Sequence, residues 1–183
     1  MRIISGKYAK RNLFTLNSMR TRPTSDKVKE SVFNSLGQFF SGGQVLDLYS
    51  GSGALGIEAV SRGFDHAVLV DINHAAIEVI RKNVALTKEE ARFSIYKMSS
   101  NAALNLFAQK EIKFDLVFLD PPYAKQKIAA DMIKMNKLQI LNGIATIVAE
   151  TDEQTELGAI AGFTLTKEHH LGKTMVRFYR KDK

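Results

Sequence analysis

From residue 44 onward, short apolar runs alternate with longer segments whose apolar residues recur at helical spacing. Apolar runs of about four to eight residues are typical of buried strands, and helical spacing is typical of amphipathic helices. The predicted strands cover residues 44–50, 67–72, 93–98, 114–120 and 143–150. The predicted helices cover residues 54–62, 74–86, 101–109, 126–138 and, briefly, 153–160. This alternation predicts an open, mostly parallel α/β sheet.

The start of the chain departs from this alternation. The turn-prone pair Ser5-Gly6 predicts a short β-hairpin over residues 3–16. Residues 17–24 are predicted to be an irregular linker, followed by a helix that is capped by Thr24 or Ser25 and runs to about residue 36.

The end of the chain departs from it as well. Residues 163–171 and 174–181 alternate in strand period around Gly172-Lys173, which predicts an antiparallel pair closing a seven-stranded sheet. We therefore expect one globular domain over residues 25–183, preceded by a small hairpin and linker over residues 1–24.

Length and composition fit one ordinary domain and narrow the chemistry. The chain has 183 residues and no cysteine, which excludes disulfides and thiolate metal sites; no metal site of another kind is predicted. No apolar run is of signal-peptide type or approaches the roughly 20 residues of a membrane span. A cytoplasmic protein without a membrane partner is expected, and we expect a monomer.

The positive charge is concentrated at the N-terminus. The formal net charge is +7, and residues 1–30 carry eight basic and two acidic side chains, a balance of 8 − 2 = +6. The basic residues are Arg2, Lys7, Lys10, Arg11, Arg20, Arg22, Lys27 and Lys29. Such a cluster suits the neutralisation of nucleic-acid phosphates, although a solvated basic tail has the same composition.

A glycine-rich loop follows the first predicted strand. Gly51, Gly53 and Gly56 fit the pattern G-x-G-x-x-G, and Asp71 ends the next strand twenty residues after the first glycine. Without Cβ atoms the loop can approach a nucleoside cofactor closely, and the carboxylate can accept hydrogen bonds from ribose hydroxyls. The pattern alone fits a dinucleotide or S-adenosylmethionine.

Asp47 distinguishes between these two candidate cofactors. A carboxylate just before the glycines would repel the diphosphate of a dinucleotide, whereas it would attract the ammonium and sulfonium groups of S-adenosylmethionine. The chain is also too short for the substrate domain that most dehydrogenases carry. The sequence therefore favours S-adenosylmethionine as cofactor and a Rossmann-like class I methyltransferase fold, in which a terminal antiparallel pair is usual.

Further cofactor contacts are predicted around these positions. Asn101, after the third strand, is placed to hydrogen-bond the adenine, although an ordinary helix cap is an equally good interpretation. The predicted cofactor-binding set also includes Tyr49, Ile72 and Ala102, which neighbour the loop, the acidic residue and the cap.

The fourth strand ends in Asp120-Pro121-Pro122-Tyr123. Strands one and four of a doubly wound sheet are neighbours, so this motif is expected beside the glycine loop. The exocyclic amine of a base is a poor nucleophile because its lone pair is delocalised into the ring. Hydrogen bonds to the Asp120 carboxylate and to a proline carbonyl would aim that lone pair at the methyl group, and Tyr123 would stack on the base.

Together with RIISGKYAKRNLFTL at the start and RPT-x-D-x-V-x-E-x-x-F-N from Arg22 to Asn34, these motifs resemble the RsmD family. Its members methylate the N2 amine of guanine in small-subunit (16S) ribosomal RNA. The resemblance covers essentially the whole chain. It implies that Asp120 to Tyr123 clamp the base, that Asp71 binds the ribose, and that the methionine end lies at Asp47 and the first glycines.

The resemblance also implies ribosomal RNA as partner, within an assembling small subunit or free. The residues expected to contact it lie in the basic hairpin and the following loop: Arg2, Lys7, Lys10, Arg11, Arg20, Arg22 and Thr24. Two departures concern this region. The family hairpin usually has a glycine where Lys10 stands, and the linker before Arg22 is short.

Two other functions share parts of this pattern. DNA adenine-N6 methyltransferases also use Asp-Pro-Pro-Tyr, but they generally need a target-recognition domain for which this chain has no room. A non-catalytic RNA-binding or ribosome-assembly factor could have the same fold. The intact Asp47, Asp71 and Asp120 argue against a protein without catalytic activity.

Overall fold

The computed structural model describes residues 1–16, 26–122 and 127–182. Its centre is a sheet of seven strands in the order β3-β2-β1-β4-β5-β7-β6. The strands are β1 (Gln44–Asp47), β2 (His66–Asp71), β3 (Phe93–Lys97), β4 (Phe114–Leu119), β5 (Leu141–Asp152), β6 (Phe163–Leu171) and β7 (Thr174–Lys181). The first five are parallel, and β7 pairs antiparallel with both β5 and β6. The predicted Rossmann-like class I methyltransferase architecture and its terminal antiparallel pair are confirmed.

Helices cover both faces of this sheet. They are α1 (Asp26–Leu36), α2 (Ala54–Ser61), α3 (His74–Ala85), α4 (Ser100–Gln109) and α5 (Ile128–Lys137). Buried side chains of α1, α2 and α3 form one hydrophobic cluster with one face of the sheet, and those of α4 and α5 form a second cluster with the other face. Burial on both faces explains why the parallel strands read as nearly continuous apolar runs.

The N-terminal segment folds back on itself, but it is not a regular hairpin. The segment has one antiparallel bridge, between Arg2 and Asn12, where two paired strands were predicted. Two further antiparallel hydrogen bonds flank this bridge: the amide of Ile3 donates to the carbonyl of Arg11, and the amide of Leu13 donates to the carbonyl of Met1, both at 2.9 Å. The segment is also held by the body of the protein, because Glu58 of α2 accepts hydrogen bonds from the amides of Ile4 and Ser5 at 2.8 and 3.0 Å.

This segment belongs to the main core. Ile3, Tyr8 and Leu13 are buried in the cluster on the α2 face of the sheet. The predicted boundary between residues 24 and 25 lies outside the described residues, so the division into a hairpin with linker and a methyltransferase domain stays a prediction.

One predicted helix is wrong. Residues 153–160 form a turn and irregular backbone after β5, which extends to Asp152. The carboxylate of Asp152 accepts hydrogen bonds from the amide of Gln154 at 3.1 Å and the hydroxyl of Thr155 at 2.7 Å, which stabilises a turn rather than a helix start. Gly158 has φ +61, a conformation that also ends helical geometry. No helix of the described part of the chain is long and apolar enough to cross a membrane.

Candidate functional site

Three carboxylates lie at the carboxyl ends of three adjacent strands. Asp47 ends β1, and it pairs in register with Leu69 of β2 and Phe118 of β4. Asp71 and Asp120 each stand two residues beyond these partners, at the same edge of the sheet. The predicted proximity of the glycine loop and the acidic motif is thus explained by strand order, because β1 lies between β2 and β4.

The glycine loop is tied to Asp71. The amide of Gly51 donates a hydrogen bond of 2.9 Å to Oδ2 of Asp71, and the amide of Gly53 donates one of 2.7 Å to the carbonyl of Ser50. Both glycines have positive φ, +55 and +77. A Cβ atom placed on Gly51 would meet nothing within 4 Å. The loop therefore presents open space beside a carboxylate, as a cradle for a ligand requires.

Ser50 supports this loop, and the sequence analysis missed it. Its hydroxyl donates to the carbonyl of Asp47 at 2.7 Å and accepts from the amide of Val70 at 3.1 Å. It thereby joins the ends of β1 and β2 at the point where the strands separate. A small hydroxyl residue directly before the first glycine was the only signal in the sequence.

Asp47 is almost completely buried, with 2% of its surface exposed. Burial, helped by the negative charges of Asp120 and Asp71, raises its pKa to about 7, although a hydrogen bond of 3.1 Å from the amide of Gly56 opposes the rise. A glycine is needed at position 56 for this close approach, because a Cβ atom there would lie 2.3 Å from the side chain of Leu69 and clash with it. A cation bound beside Asp47 would favour its ionised form.

The residues present therefore fit S-adenosylmethionine. Three acidic side chains converge on one crevice, where an ammonium and a sulfonium would be attracted and a diphosphate repelled. Ile72, next to Asp71, is 68% exposed and offers an apolar face for a purine. Among the described residues, no cluster of three or more His, Cys, Asp or Glu side chains is placed to hold a metal ion.

Three predicted cofactor contacts form hydrogen bonds within the protein. The hydroxyl of Tyr49 donates to Oδ2 of Asp131 in α5, and burial raises the pKa of this tyrosine well above its usual range. The side chain of Asn101 accepts from Nζ of Lys134, also in α5. The amide of Ala102 donates to Oγ of Ser99, the cap of α4, at 3.3 Å. Their contact with the cofactor stays a prediction.

The acidic-aromatic motif is described only in part. Asp120 is partly exposed at the end of β4, Pro121 is buried and Pro122 is exposed. Tyr123 lies outside the described residues. Because Asp47 pairs with Phe118, two residues before Asp120, the motif lies beside the end of β1, where the glycine loop begins.

A buried amide joins the N-terminal segment to the glycine loop. Asn83 of α3 is fully buried, and its side chain bonds both the amide and the carbonyl of Phe14, at 2.8 and 3.0 Å. The same Nδ2 group donates to the carbonyl of Ser52 in the glycine loop at 2.8 Å. No sequence pattern distinguished this asparagine.

The basic side chains predicted to bind RNA are in different situations. Lys7 pairs with Glu89 at 2.5 Å, and Arg11 donates to the carbonyl of Leu86. Arg2 is exposed and lies 3.7 Å from Asp26, and Lys10 is exposed with φ +69. Arg20, Arg22 and Thr24 lie outside the described residues.

Lys29 contributed to the predicted basic cluster, but it does not face solvent. It is fully buried, with Nζ 3.2 Å from Oε2 of Glu58. Nε of Arg62 lies 2.8 Å from the other oxygen of the same carboxylate. The charge of Lys29 is therefore used inside the protein.

The chain is similar to several known proteins. The model of a family described as Conserved hypothetical protein 95 matches residues 1–180. A Bacillus subtilis protein named as a candidate rRNA methyltransferase, YlbH, is 41% identical over 182 residues, covering 99% of each chain. Ribosomal RNA small subunit methyltransferase D of Escherichia coli is 33% identical, covering 100% of this chain and 90% of that one.

A solved structure agrees as well. A candidate methyltransferase from Escherichia coli, yhhF, superposes with a TM-score of 0.84 at 30% identity, covering 100% of this chain and 98% of that one. The similarity thus includes the N-terminal segment and the terminal strand pair.

Proposed function

The chain belongs to the family described as Conserved hypothetical protein 95, and we propose on that premise that it methylates the N2 amine of a guanine in small-subunit ribosomal RNA. It is a methyltransferase whose methyl donor is S-adenosylmethionine. The proposal of guanine-N2 methylation rests on the placement of Asp120 and the two prolines at the carboxyl end of β4, beside the glycine loop.

Each end of the cofactor has candidate protein partners in the described crevice. Asp47 and the open backbone of the loop at Gly51 and Gly53 would hold its charged amino-acid end, and Asp71 would accept its ribose hydroxyls. Ile72 would pack against the purine. When bound there, S-adenosylmethionine supplies a methyl group on a positively charged sulfur.

The role proposed for Asp120 follows from the chemistry of the guanine amine. Its carboxylate would accept a hydrogen bond from the N2 amine, and a proline carbonyl of the motif would accept a second one. These two acceptors orient the nitrogen lone pair, so catalysis comes mainly from positioning and electrostatics. As the N–C bond forms, the bond between the methyl carbon and the sulfur would break with its electron pair left on the sulfur, and the amine would lose one proton to Asp120 or to water. Tyr123 is proposed to stack on the base.

The proposed substrate determines the partner. The relatives named above are described as acting on ribosomal RNA, and one as acting on the small subunit. Reaching the N2 edge requires the guanine to be unstacked, which favours RNA in which the base is exposed. Such a substrate would place a monomeric enzyme with the ribosomes, in the cytoplasm.

Methyl transfer from labelled S-adenosylmethionine tests the substrate. We would offer unmodified ribosomal RNA, the same RNA in assembled small subunits, and duplex DNA, and identify the labelled nucleoside by mass spectrometry. N2-methylguanine from RNA is the expected product. N6-methyladenine from DNA, or bound cofactor without transfer to any substrate, would contradict the proposal.

Asp120→Ala tests the chemistry. Transfer is expected to fall by about 10²–10⁴-fold, the usual contribution of positioned acid–base and electrostatic contacts of this kind. Cofactor affinity should stay within a few-fold of wild type. Asp182→Ala, at an exposed position beyond β7, is the matched control and should leave turnover unchanged. Full turnover by Asp120→Ala would remove the proposed mechanism.

A further inference from the structure

The part of the N-terminal segment around Lys7 does not lie at the edge of the sheet that carries Asp120. Lys7 contacts Glu89, just before β3 begins, and the amide of Tyr8 bonds Oγ of Ser61, where α2 ends. Parallel strands begin, and the helices following them end, at the amino edge of the sheet. The cations near Lys7 therefore lie toward the opposite edge from the site of methyl transfer.

A groove between α1 and β6 is better placed to bind RNA near Asp120. It has a volume of about 420 Å³ and lies between the outer face of α1 and the edge strand β6. The side chains that line it are polar or charged: Lys27, Glu30, Ser31, Asn34, Lys167 and His169. We call it the α1–β6 groove.

Strand register places this groove level with Asp120. His169 pairs with Val176 of β7, which pairs with Glu150 of β5. Leu119 pairs with Ala149, so the next residues, Asp120 and Glu150, are also level. Three strand spacings of about 4.8 Å separate β4 from β6, which puts the groove roughly 14 Å from the motif.

The groove and the motif also share one face of the sheet. Val176 and Phe178 belong to the hydrophobic cluster on the α1 face, together with Phe118 of β4. Lys167 and His169 pair with Phe178 and Val176, so they lie on that same face. A polynucleotide leaving the Asp120 site across α1 would enter the groove.

The floor of the groove is fixed by hydrogen bonds to Ser35. Nε2 of His169 lies 2.8 Å from its hydroxyl, and Nζ of Lys167 donates to its carbonyl at 3.3 Å. The ring of His169 also packs edge-on against Phe178. These contacts join β6 to α1, so the donors of the groove are held at a constant spacing.

The charges and donors of the groove suit phosphate. Lys27 and Lys167 are cations, Ser31 and Asn34 carry hydroxyl and amide donors, and Glu30 is the one acid among the lining residues. Glu30 and Asn34 are exposed, although both belong to the segment that most resembles the RsmD family. Packing in the core accounts for Phe33 in that segment, but not for these two.

We infer that the α1–β6 groove binds the sugar-phosphate backbone of the RNA nucleotides that flank the target guanine. The inference rests on the proposed function, because it takes ribosomal RNA as the substrate. The groove holds the flanking strand, while the Asp120 motif holds the base. Lysines, a hydroxyl and an amide contact backbone without reading sequence, so the groove orients the RNA and does not select the base.

The double variant Lys27→Glu/Lys167→Glu tests this inference. We would measure its affinity for protein-free ribosomal RNA over a series of salt concentrations, with S-adenosylhomocysteine present. Binding should weaken on the order of tenfold at 0.1 M salt. The slope of log K against log salt should fall by about 1.4, since each phosphate contact on a single strand contributes about 0.7.

Lys110→Glu/Lys137→Glu is the matched control. It changes the net charge equally, at the ends of α4 and α5 and thus at the amino edge. It should leave the salt slope unchanged. Thermal unfolding of both variants checks that they fold, and Asn34→Ala, which keeps the charge, should weaken RNA binding by a few-fold.

Three results would overturn the inference. The groove and control variants could weaken binding equally, which would indicate a general charge effect. A second such result would be that neither variant changes the slope of log K against log salt. The groove variant could bind protein-free RNA normally and fail only on assembled subunits, which would identify a ribosomal protein as the partner. Failure of the proposed function is seen separately: wild-type protein would bind RNA through the groove but yield no N2-methylguanine.

Discussion

Asp47 is the residue whose environment says most about the ligand. It is buried between two other acidic positions, and its pKa of about 7 leaves it largely protonated in mildly acidic solution. A cationic ligand requires the ionised form for attraction. Binding of S-adenosylmethionine should therefore release a proton from Asp47 as pH falls below 7.

This leads to a pH-dependent affinity. Between pH 6 and pH 7.5 the ionised fraction of a group with pKa 7 rises about eightfold, and the affinity for S-adenosylmethionine should rise by a similar factor. Isothermal titration calorimetry would measure it. Asp47→Asn should bind more weakly and with little pH dependence over this range. A wild-type affinity that is constant from pH 6 to 7.5 would contradict this role for Asp47.

Lys10 has a backbone conformation that favours glycine. Its φ of +69 is in the left-handed region, which explains why the resembled family usually has glycine there. Lys10→Gly should raise the free energy of unfolding by about 0.5–1 kcal/mol, measured by urea denaturation. Lys7→Gly, in the same segment without positive φ, is the comparison and should lower it. Lower stability of Lys10→Gly would show that the side chain matters more than the strain.

The role of a residue was predictable where a known motif fixes the number of residues between it and its partner. Gly51 and Asp71 were identified because twenty residues separate a glycine loop from the end of the next strand, and they do form a hydrogen bond. Ser50 and Asn83 were missed, since their roles depend on backbone groups of distant segments. Asp131 was missed as well, because its contact with Tyr49 joins residues 82 positions apart.

At the scale of elements, α2 joins the N-terminal segment to the sheet. The carboxylate of Glu58 is fully buried and is shared by Lys29, Arg62 and two backbone amides of the segment. Removing one member of a buried ionic group leaves its partners without compensation, which is far more costly than losing an exposed pair.

Glu58→Gln should therefore lower the free energy of unfolding by about 3–5 kcal/mol. Glu78→Gln is the matched control, because Glu78 pairs with Arg81 on the exposed surface of α3, and it should cost less than about 1 kcal/mol. Chemical denaturation of both variants provides the measurement. Similar losses in the two would mean that the buried group contributes little.

The elements that were predicted correctly have a strong hydrophobic period. Strands two to four and helices two to four were placed within a residue or two of their bounds, because each is buried on a regular face. The hairpin is shorter than predicted: it pairs around Arg2 and Asn12, while the amides of Ser5 and Tyr8 bond to Glu58 and Ser61. The helix expected over residues 153–160 was wrong because the Asp152 carboxylate stabilises a turn.

The protein as a whole is basic, but it contains an acidic crevice. Without a ligand, three carboxylates face one another, and this opposes folding when they are charged. Because the pKa of Asp47 is about 7 in the folded protein and about 4 in an unfolded chain, the folded state binds its proton more tightly. The stability that this proton contributes is fully present below about pH 4 and is lost as the pH rises to 7.

Asp47→Asn should consequently gain stability relative to wild type as the pH rises. Between pH 5 and pH 7 the difference should grow by roughly 2 kcal/mol, because the slope of ~1.4 kcal/mol per pH unit falls as the pH approaches the folded pKa. Thermal or urea unfolding of the ligand-free proteins would measure it. A difference that does not change with pH would show that Asp47 is ionised throughout.

The topology of the sheet was predictable as a class, because alternating strands and helices allow few arrangements. The order β3-β2-β1-β4-β5-β7-β6 brings Asp47, Asp71 and Asp120 together from positions up to 73 residues apart (120 − 47). The α1–β6 groove was not predictable, since it depends on how one helix crosses the far half of the sheet.

The attachment of the N-terminal segment also has a consequence for biosynthesis. Its hydrogen bonds to Glu58, Ser61 and Glu89 join residues 53 to 82 positions apart. At roughly 5–20 residues per second, the segment is synthesised about 4–16 s before the last of these partners. A nascent chain that ends before α3 is complete will therefore expose Ile3 and Tyr8, two side chains of the finished core.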